Sequence, residues 1–121
     1  MLKNFGLGKL QRLKKTVEFQ TTYTQGRSFA GRYIVLYVLK RAEPGKKVGI
    51  AAGKRLGKAH IRNRVKRLLR EAYRLNQDKF AAGCDYLLVG RKPAVAAKRQ
   101  DVEHSLLLLA GRAGILFENE K

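Results

Sequence analysis

Residues 53–74 read GKRLGKAHIRNRVKRLLREAYR. The stretch holds nine basic residues and one acid, Glu71. Advancing 100° per residue from Ile61 separates it into two faces. Ile61, Val65, Leu68, Leu69 and Ala72 fall on one side. Arg62, Asn63, Lys66, Arg67, Arg70 and Arg74 fall on the other. The pattern predicts an amphipathic helix whose apolar face packs on a sheet and whose opposite face is cationic. Glu71 lies at the edge, near Arg64 and within i+4 reach of Arg67. A solvated helix face ordinarily mixes signs, because i, i+4 ion pairs support the helix and like charges at that spacing cost a few tenths of a kcal/mol. The series Arg62/Lys66/Arg70/Arg74 repeats one sign, so it calls for an anionic partner.

The whole chain agrees. Its 121 residues suit one domain and carry a formal net charge of +18. The apolar fraction of 45% supports a folded core rather than a basic tail. Such a charge excess repels itself, and nucleic acid and anionic membrane are the partners that would offset it. Arginine outnumbers lysine on the helix, and guanidinium forks bind phosphate bidentately and stack on bases, which favours nucleic acid. A membrane-surface helix would expose its apolar face with aromatics at the boundary; here that face is the natural contact for the sheet. No apolar run approaches the roughly 18 residues of a membrane span. Cys84 is the single cysteine, which excludes an internal disulfide and fits a reducing compartment. Residues 1–11 form a basic arm without acids and without the apolar core of a secretory signal. A transit peptide shares that composition, but this stretch is short and gives way to a folded pattern by Leu13.

Outward from the helix, residues Thr16 to Gln25 read as a short helix, with Thr16 as cap, Glu18 in the first turn and Gly26 as stop. Arg32 to Lys40 reads as a strand, 43–46 as a turn, and Lys47 to Gly53 as a second strand, which together suggest a hairpin. The basic helix is expected from His60 to Phe80, closed near Gly83. Asp85 to Arg91 is a further strand, broken by Pro93, and a last helix spans Gln100 to Gly111. Residues 112–121 form a tail with no clear signal. The order gives a single α+β domain, an α/β sandwich with one small sheet. Strand alternation puts Ile34, Leu36, Val38, Val48 and Ile50 on one sheet face, and Tyr33, Val35, Tyr37, Leu39, Gly49 and Ala51 on the other.

The chemistry of a protein nuclease is not visible. Nine carboxylates are scattered, and Asp78, Asp85 and Asp101 lack metal-ligand spacing. His60 reads as a helix-start residue, His104 as a helix-surface residue, and Cys84 as a small strand-entry residue.

The run Gly53-Lys54-Arg55-Leu56-Gly57-Lys58-Ala59, followed by Ile61-Arg62-Asn63-Arg64-Val65-Lys66-Arg67-Leu68-Leu69-Arg70-Glu71-Ala72-Tyr73-Arg74, closely resembles the conserved box of the protein subunit of bacterial ribonuclease P. Arg12-Leu13-Lys14-Lys15, then Glu18-Phe19, Tyr23 and Gly26, resemble that family's N-terminal helix. Arg32 to Leu39 resembles its first strand, and Arg91-Lys92-Pro93-Ala94 the segment after its last core strand. The likeness covers roughly residues 12 to 110. It implies an α/β sandwich like the second domain of a small-subunit ribosomal protein, a small mixed sheet with three helices and a left-handed βαβ crossover, where periodicity alone would favour a right-handed one. It implies removal of the 5′ leader from precursor tRNA by a ribonucleoprotein in the cytoplasm. Catalysis then belongs to the RNA subunit and Mg²⁺ is held chiefly by RNA, with no membrane and no further protein partner required. Lys54, Arg55, Lys58, Arg62, Asn63, Arg64, Lys66, Arg67, Arg70 and Arg74 would meet ribonuclease P RNA. Of these, Arg64 departs from the wheel, and reaching across the helix start or pairing with Glu71 are its other readings. Phe19, Tyr23, Tyr37 and Arg91 would line a cleft for the single-stranded leader, where aromatic platforms beside cations grip bases. Phe19 keeps two readings, core packing and RNA contact; Tyr33 reads as core edge. The competing function is a generic RNA-binding or ribosomal protein without a processing role. A major-groove DNA reader would spread Asn or Gln along the helix, and only Asn63 is present.

Arg67→Ala and Arg70→Ala are each expected to weaken RNA binding and to flatten its salt dependence by up to about one unit of slope, the loss of one phosphate contact. Titrations at several salt concentrations measure this; unchanged slopes would remove both residues from the interface.

Overall fold

The computed structural model describes residues 16–42 and 45–116. The basic arm, the Arg12–Lys15 block and Glu43–Pro44 of the expected turn lie outside the described residues, as do the side chains of Thr16 and Val17. Three helices and four strands follow the order α1 (Thr16–Gln25), β1 (Arg27–Ala30), β2 (Ile34–Lys40), β3 (Lys46–Ala51), α2 (Ala59–Asn76), β4 (Cys84–Gly90) and α3 (Arg99–Ala113). Short 3₁₀ turns occupy Lys54–Leu56, Gln77–Lys79 and Lys92–Ala96. The architecture is the expected α+β sandwich.

The sheet order is β1-β2-β4-β3. β2 pairs antiparallel with both β1 and β4, and β3 pairs parallel with β4. The hairpin expected between β2 and β3 is therefore absent, because β4 lies between them. The reason is visible in β4 itself. Cys84 through Leu88 are buried at every position, so both faces are covered, and such a strand belongs at the sheet centre. Gly83 starts the insertion: Arg41 N–H donates to the Gly83 carbonyl at 2.8 Å, and Gly83 N–H donates to the Gly45 carbonyl at 2.6 Å. Its φ of +86° favours glycine there. Gly83 thus opens β4 rather than closing α2. β1 was not expected; it is an edge strand of four residues with only Phe29 partly buried, too short and polar to show alternation.

α2 and α3 cover one sheet face. Ile34, Leu36, Val38, Val48, Tyr86 and Leu88 supply its core side chains, as the strand alternation predicts for β2 and β3. Ile50 is only partly buried. α2 contributes Val65, Leu69, Ala72 and Tyr73 to this core, and α3 contributes Val102, Leu106, Leu109 and Ala110. Each fully buried Val or Leu is worth about 1.5–3 kcal/mol relative to exposure. α2 stops at Asn76, earlier than the expected Phe80. Phe80 instead bridges to Leu116 and packs edge-on against Tyr73 and Tyr86, with centroids 5.1 and 5.2 Å apart. Lys46 Nζ holds this end by donating to the carbonyls of Gln77 and Phe80. The expected tail also has structure: α3 continues to Ala113, Gly114 takes a left-handed φ of +73°, and Ile115 is buried. α1 covers the second face, above β2 and β4, where Thr22 and Leu87 are fully buried.

α2 packs tightly on the sheet at Gly90. A Cβ there would lie 2.7 Å from Val65 Cγ1, a side chain packed with no exposure. Gly53, by contrast, faces open space with an extended φ of −75°. Gly90→Ala is expected to cost about 1–3 kcal/mol by overpacking. Gly53→Ala should stay within about 0.5 kcal/mol. Urea unfolding of both variants measures the contrast; equal effects would contradict the tight contact.

Candidate RNA interface

The strand register decides where the basic loops meet. Ile34 pairs with Gly90, and Ala51 pairs with Val89. The β1–β2 loop (31–33), the loop after β3 (52–58) and the segment after β4 (91–98) therefore leave the same end of the sheet. That end gathers Arg32, Lys54, Arg55, Lys58, Arg91 and Lys92, all exposed. The opposite end pairs its charges. Arg41 Nη1 donates to Asp85 Oδ2 at 2.7 Å, and Lys47 Nζ donates to Glu18 Oε2 at 2.8 Å. Burial pushes the Asp85 carboxyl upward against the pull of Arg41 and Lys47, while the bond to Glu18 raises the Lys47 ammonium. Two ion pairs thus tie charges at one end, whereas among the described residues no ion pair engages the cations gathered at the other.

The loop after β3 is built tightly. Gly57 has a φ of +140°, and a Cβ on it would come within 2.9 Å of Ile61 Cδ1, so both conformation and space require glycine. Gly57 N–H donates to the Lys54 carbonyl at 3.2 Å, and Arg62 Nε folds back onto the Gly57 carbonyl at 3.2 Å. Leu56 anchors the loop in the core while Lys54 and Arg55 project. α2 continues this surface. Asn63 and Arg67 are exposed, and Arg62, Lys66 and Arg70 are half-buried. Among the described residues no ion pair engages Lys54, Arg55, Lys58, Arg62, Lys66, Arg67 or Arg70.

Two arginines of the stretch are used differently. Arg74 Nη2 donates to Glu71 Oε1 at 2.6 Å, with Nε on both carboxylate oxygens at 3.1 and 3.3 Å. That bond holds the Glu71 carboxyl below its usual range and raises Arg74. Glu71 thus pairs at i+3 with Arg74 and not with Arg67 or Arg64. Arg64 crosses to the segment after β4, donating from Nη1 to the Val95 carbonyl at 2.6 Å and from Nη2 to the Ala97 carbonyl at 3.3 Å. Neither reading offered for it by the sequence, the helix start or Glu71, is realised. Both partners depended on tertiary contacts that a helical wheel does not carry.

The second sheet face holds the aromatic residues. Tyr23 of α1 lies over Tyr37 of β2, ring centroids 5.0 Å apart and tilted by 41°. Burial pushes the Tyr37 hydroxyl up, and the neighbouring Tyr23 adds to it. Tyr23 is 53% exposed, a high value for a large aromatic ring, and Tyr37 is half-buried. Phe19, one turn before Tyr23, is half-buried and stands apart from the main core cluster. Beyond α1 this face continues with Val35, Val89 and Ala51, paired across β2, β4 and β3 and each half-buried. The floor runs toward Arg91, so tyrosines border it on one side and cations at its end. Arg91 Nη1 donates to the Gly31 carbonyl at 2.6 Å. Tyr33 packs at the core edge with the Arg32 guanidinium 5.6 Å from its ring centre. Lys92 and Arg32 also belong to this end; the sequence placed them in family-like segments but gave neither a role at the site.

His60 and His104 are exposed on α2 and α3, and Cys84 is the buried first residue of β4. Among the described residues no group of three or more His, Cys, Asp or Glu could hold a metal ion, and no helix is long and apolar enough to cross a membrane. Because Arg74 is engaged with Glu71, Arg74→Ala is expected to change the salt slope of RNA binding by less than half of what Arg67→Ala does. Parallel titrations check it; an equal loss would return Arg74 to the interface.

The ribonuclease P family model matches residues 7–114. A ribonuclease P protein component of Clostridium acetobutylicum is 36% identical over 115 residues, 93% of this chain and 97% of that protein. One of Clostridioides difficile is 42% identical over 104 residues, 85% of this chain and 91% of the other. Among solved structures, the ribonuclease P protein of Staphylococcus aureus superposes with a TM-score of 0.77 at 29% identity, covering 88% of this chain and 98% of that one. That of Thermotoga maritima gives 0.74 at 28% identity, covering 84% and 96%. With the box on α2, the mixed four-stranded sheet and these likenesses along nearly its whole length, the chain belongs to the ribonuclease P protein family.

Proposed function

We propose that this chain is the protein subunit of a bacterial ribonuclease P ribonucleoprotein, which removes the 5′ leader of precursor tRNA in the cytoplasm. The observation that carries the reading is the collection of unpaired cations at one end of the sheet and along α2, in a member of this family. Lys54, Arg55, Lys58, Arg62, Asn63, Lys66, Arg67 and Arg70 meet the RNA subunit. Their spacing along a rigid helix suits successive phosphates, and arginine forks supply bidentate bonds. Arg64 and Arg74 leave this set for the partners described above.

The single-stranded leader lies on the second sheet face, across Tyr23, Tyr37 and the Val35–Val89–Ala51 floor, with Arg91 at its end. Stacking on such rings tolerates any base, which suits leaders of differing sequence. Phe19, half-buried one turn before Tyr23, is counted with this cleft. Catalysis belongs to the RNA. Mg²⁺ is assigned chiefly to the RNA subunit and substrate, with none held tightly by the protein. The protein's part is to bind the precursor and to lower the repulsion between two polyanions, so that the active RNA conformation persists at low Mg²⁺. No further protein is required.

Reconstitution tests this. The purified chain is added to a bacterial ribonuclease P RNA at low Mg²⁺ and moderate salt, beside RNA alone and protein alone. Cleavage of the 5′ leader only with both present is expected. Cleavage by protein alone, or tight binding without stimulation across RNA types, would overturn the reading in favour of a protein nuclease or a generic RNA-binding protein. Tyr37→Ala is expected to weaken precursor tRNA binding by about 1–3 kcal/mol, one stacked base. Mature tRNA binding should stay nearly unchanged, and equal losses would return Tyr37 to a packing role.

A further inference from the structure

Arg64 is charged, exposed and placed in the middle of the basic box, yet its fork is turned away from the cationic face. It spans two carbonyls, those of Val95 and Ala97, at 2.6 and 3.3 Å. These close the segment that begins at Arg91 and Lys92. The same segment is held at two more points. Arg91 N–H donates to the Tyr33 carbonyl at 2.8 Å and its Nη1 to the Gly31 carbonyl at 2.6 Å, on the β1–β2 loop. Lys92 Nζ donates to the Arg55 carbonyl at 3.3 Å, on the loop after β3. Ala94, fully buried, fills the middle.

We propose that Arg64 is a positioning residue: it ties the Arg91–Ala97 segment to α2 and so fixes the leader-side cations, Arg91 and Lys92, against the RNA-subunit-side cations of the helix. It makes no phosphate contact of its own. The carbonyls at the end of a 3₁₀ turn need donors, and a planar guanidinium satisfies two at once. A lysine ammonium is a point donor on a different stem and does not bridge the pair in this way. Two surfaces that face different RNAs are thereby kept in one register. The assignment of those surfaces rests on the function proposed above; the strut itself does not.

The test therefore has an RNA-free arm and an RNA arm, on the full chain with Arg64→Lys and Arg64→Ala, both checked for folding by thermal melting. In the free protein, the amides of Ala94 and Ala97 donate to the Arg91 and Ala94 carbonyls. Their hydrogen exchange is expected to speed up by about tenfold or more in both variants, while amides in the middle of α2 keep their rates. Unchanged exchange at Ala94 and Ala97 would overturn the strut, whatever the RNA reading. In the RNA arm, both variants should weaken precursor tRNA binding several-fold. The salt slope for binding ribonuclease P RNA should hold, and Arg64→Ala combined with Arg91→Ala should cost less than the sum of the two. Full recovery by Arg64→Lys, with a slope lowered by about one unit in Arg64→Ala, would make Arg64 a phosphate contact and overturn the proposal. If the wild-type chain fails to stimulate cleavage, the functional reading falls while the exchange result still decides the strut.

Discussion

The contact of Val65 with the bare backbone of Gly90 is the constraint on which the rest of the structure depends. A helix whose charges are six cations and one acid has no internal reason to settle at one rotation. The apolar face supplies it. Val65, Leu69 and Ala72 are buried without remainder, and at Gly90 the helix side chains pack so tightly on the sheet that an added Cβ would force a shift. Rotation by one position would drive an arginine into the core, at a cost no partner outside could offset. The cationic stripe faces outward because the other side has been fixed this tightly.

The sheet adds a direction to that stripe. By entering between β2 and β3, β4 brings three loop regions to one end, and each carries exposed cations. The far end is closed by Arg41–Asp85 and Lys47–Glu18. An excess of positive charge destabilises a small domain through self-repulsion. Here much of the repulsion falls on a surface where phosphate would relieve it, so the binding energy and the folding energy are linked. A bound polyanion stabilises the fold by mass action, and the fold in turn holds the cations at the spacing the polyanion needs.

Much of this was legible in the residues. The periodicity of 61–72 gave the helix and, in Val65, Leu69 and Ala72, the centre of its buried face, while Tyr73 lay outside the expected set and Ile61 and Leu68 are only half-buried; alternation along 34–38 gave the core face of β2. Cys84 at the entry to β4 followed from its surroundings. Other features depended on contacts between distant parts of the chain. The short loop between β2 and β3 reads as a hairpin locally, and only the two-sided burial of Tyr86, Leu87 and Leu88 shows that a third strand comes between. β1 is too short and exposed for a period to appear. Phe80 continues the helical pattern but serves the Tyr73–Tyr86 aromatic cluster after a 3₁₀ turn. At the site, the family's box names ten residues as one group, whereas Glu71 and the Val95 and Ala97 carbonyls divide it. Arg74 and Arg64 are spent inside the protein, and no feature of residue type distinguishes them from Arg67 or Arg70.

The most direct test of the account is to place a photoreactive amino acid, one at a time, at Asn63 and Arg67 on α2 and at His104 and Leu108 on α3. All four positions are exposed. Each protein is bound to a bacterial ribonuclease P RNA and irradiated. Efficient crosslinks from positions 63 and 67, with little from 104 and 108, are the predicted result. Equal yields from both helices, or crosslinks confined to α3, would contradict the central claim that docking of α2 onto the sheet turns its cationic face toward the RNA.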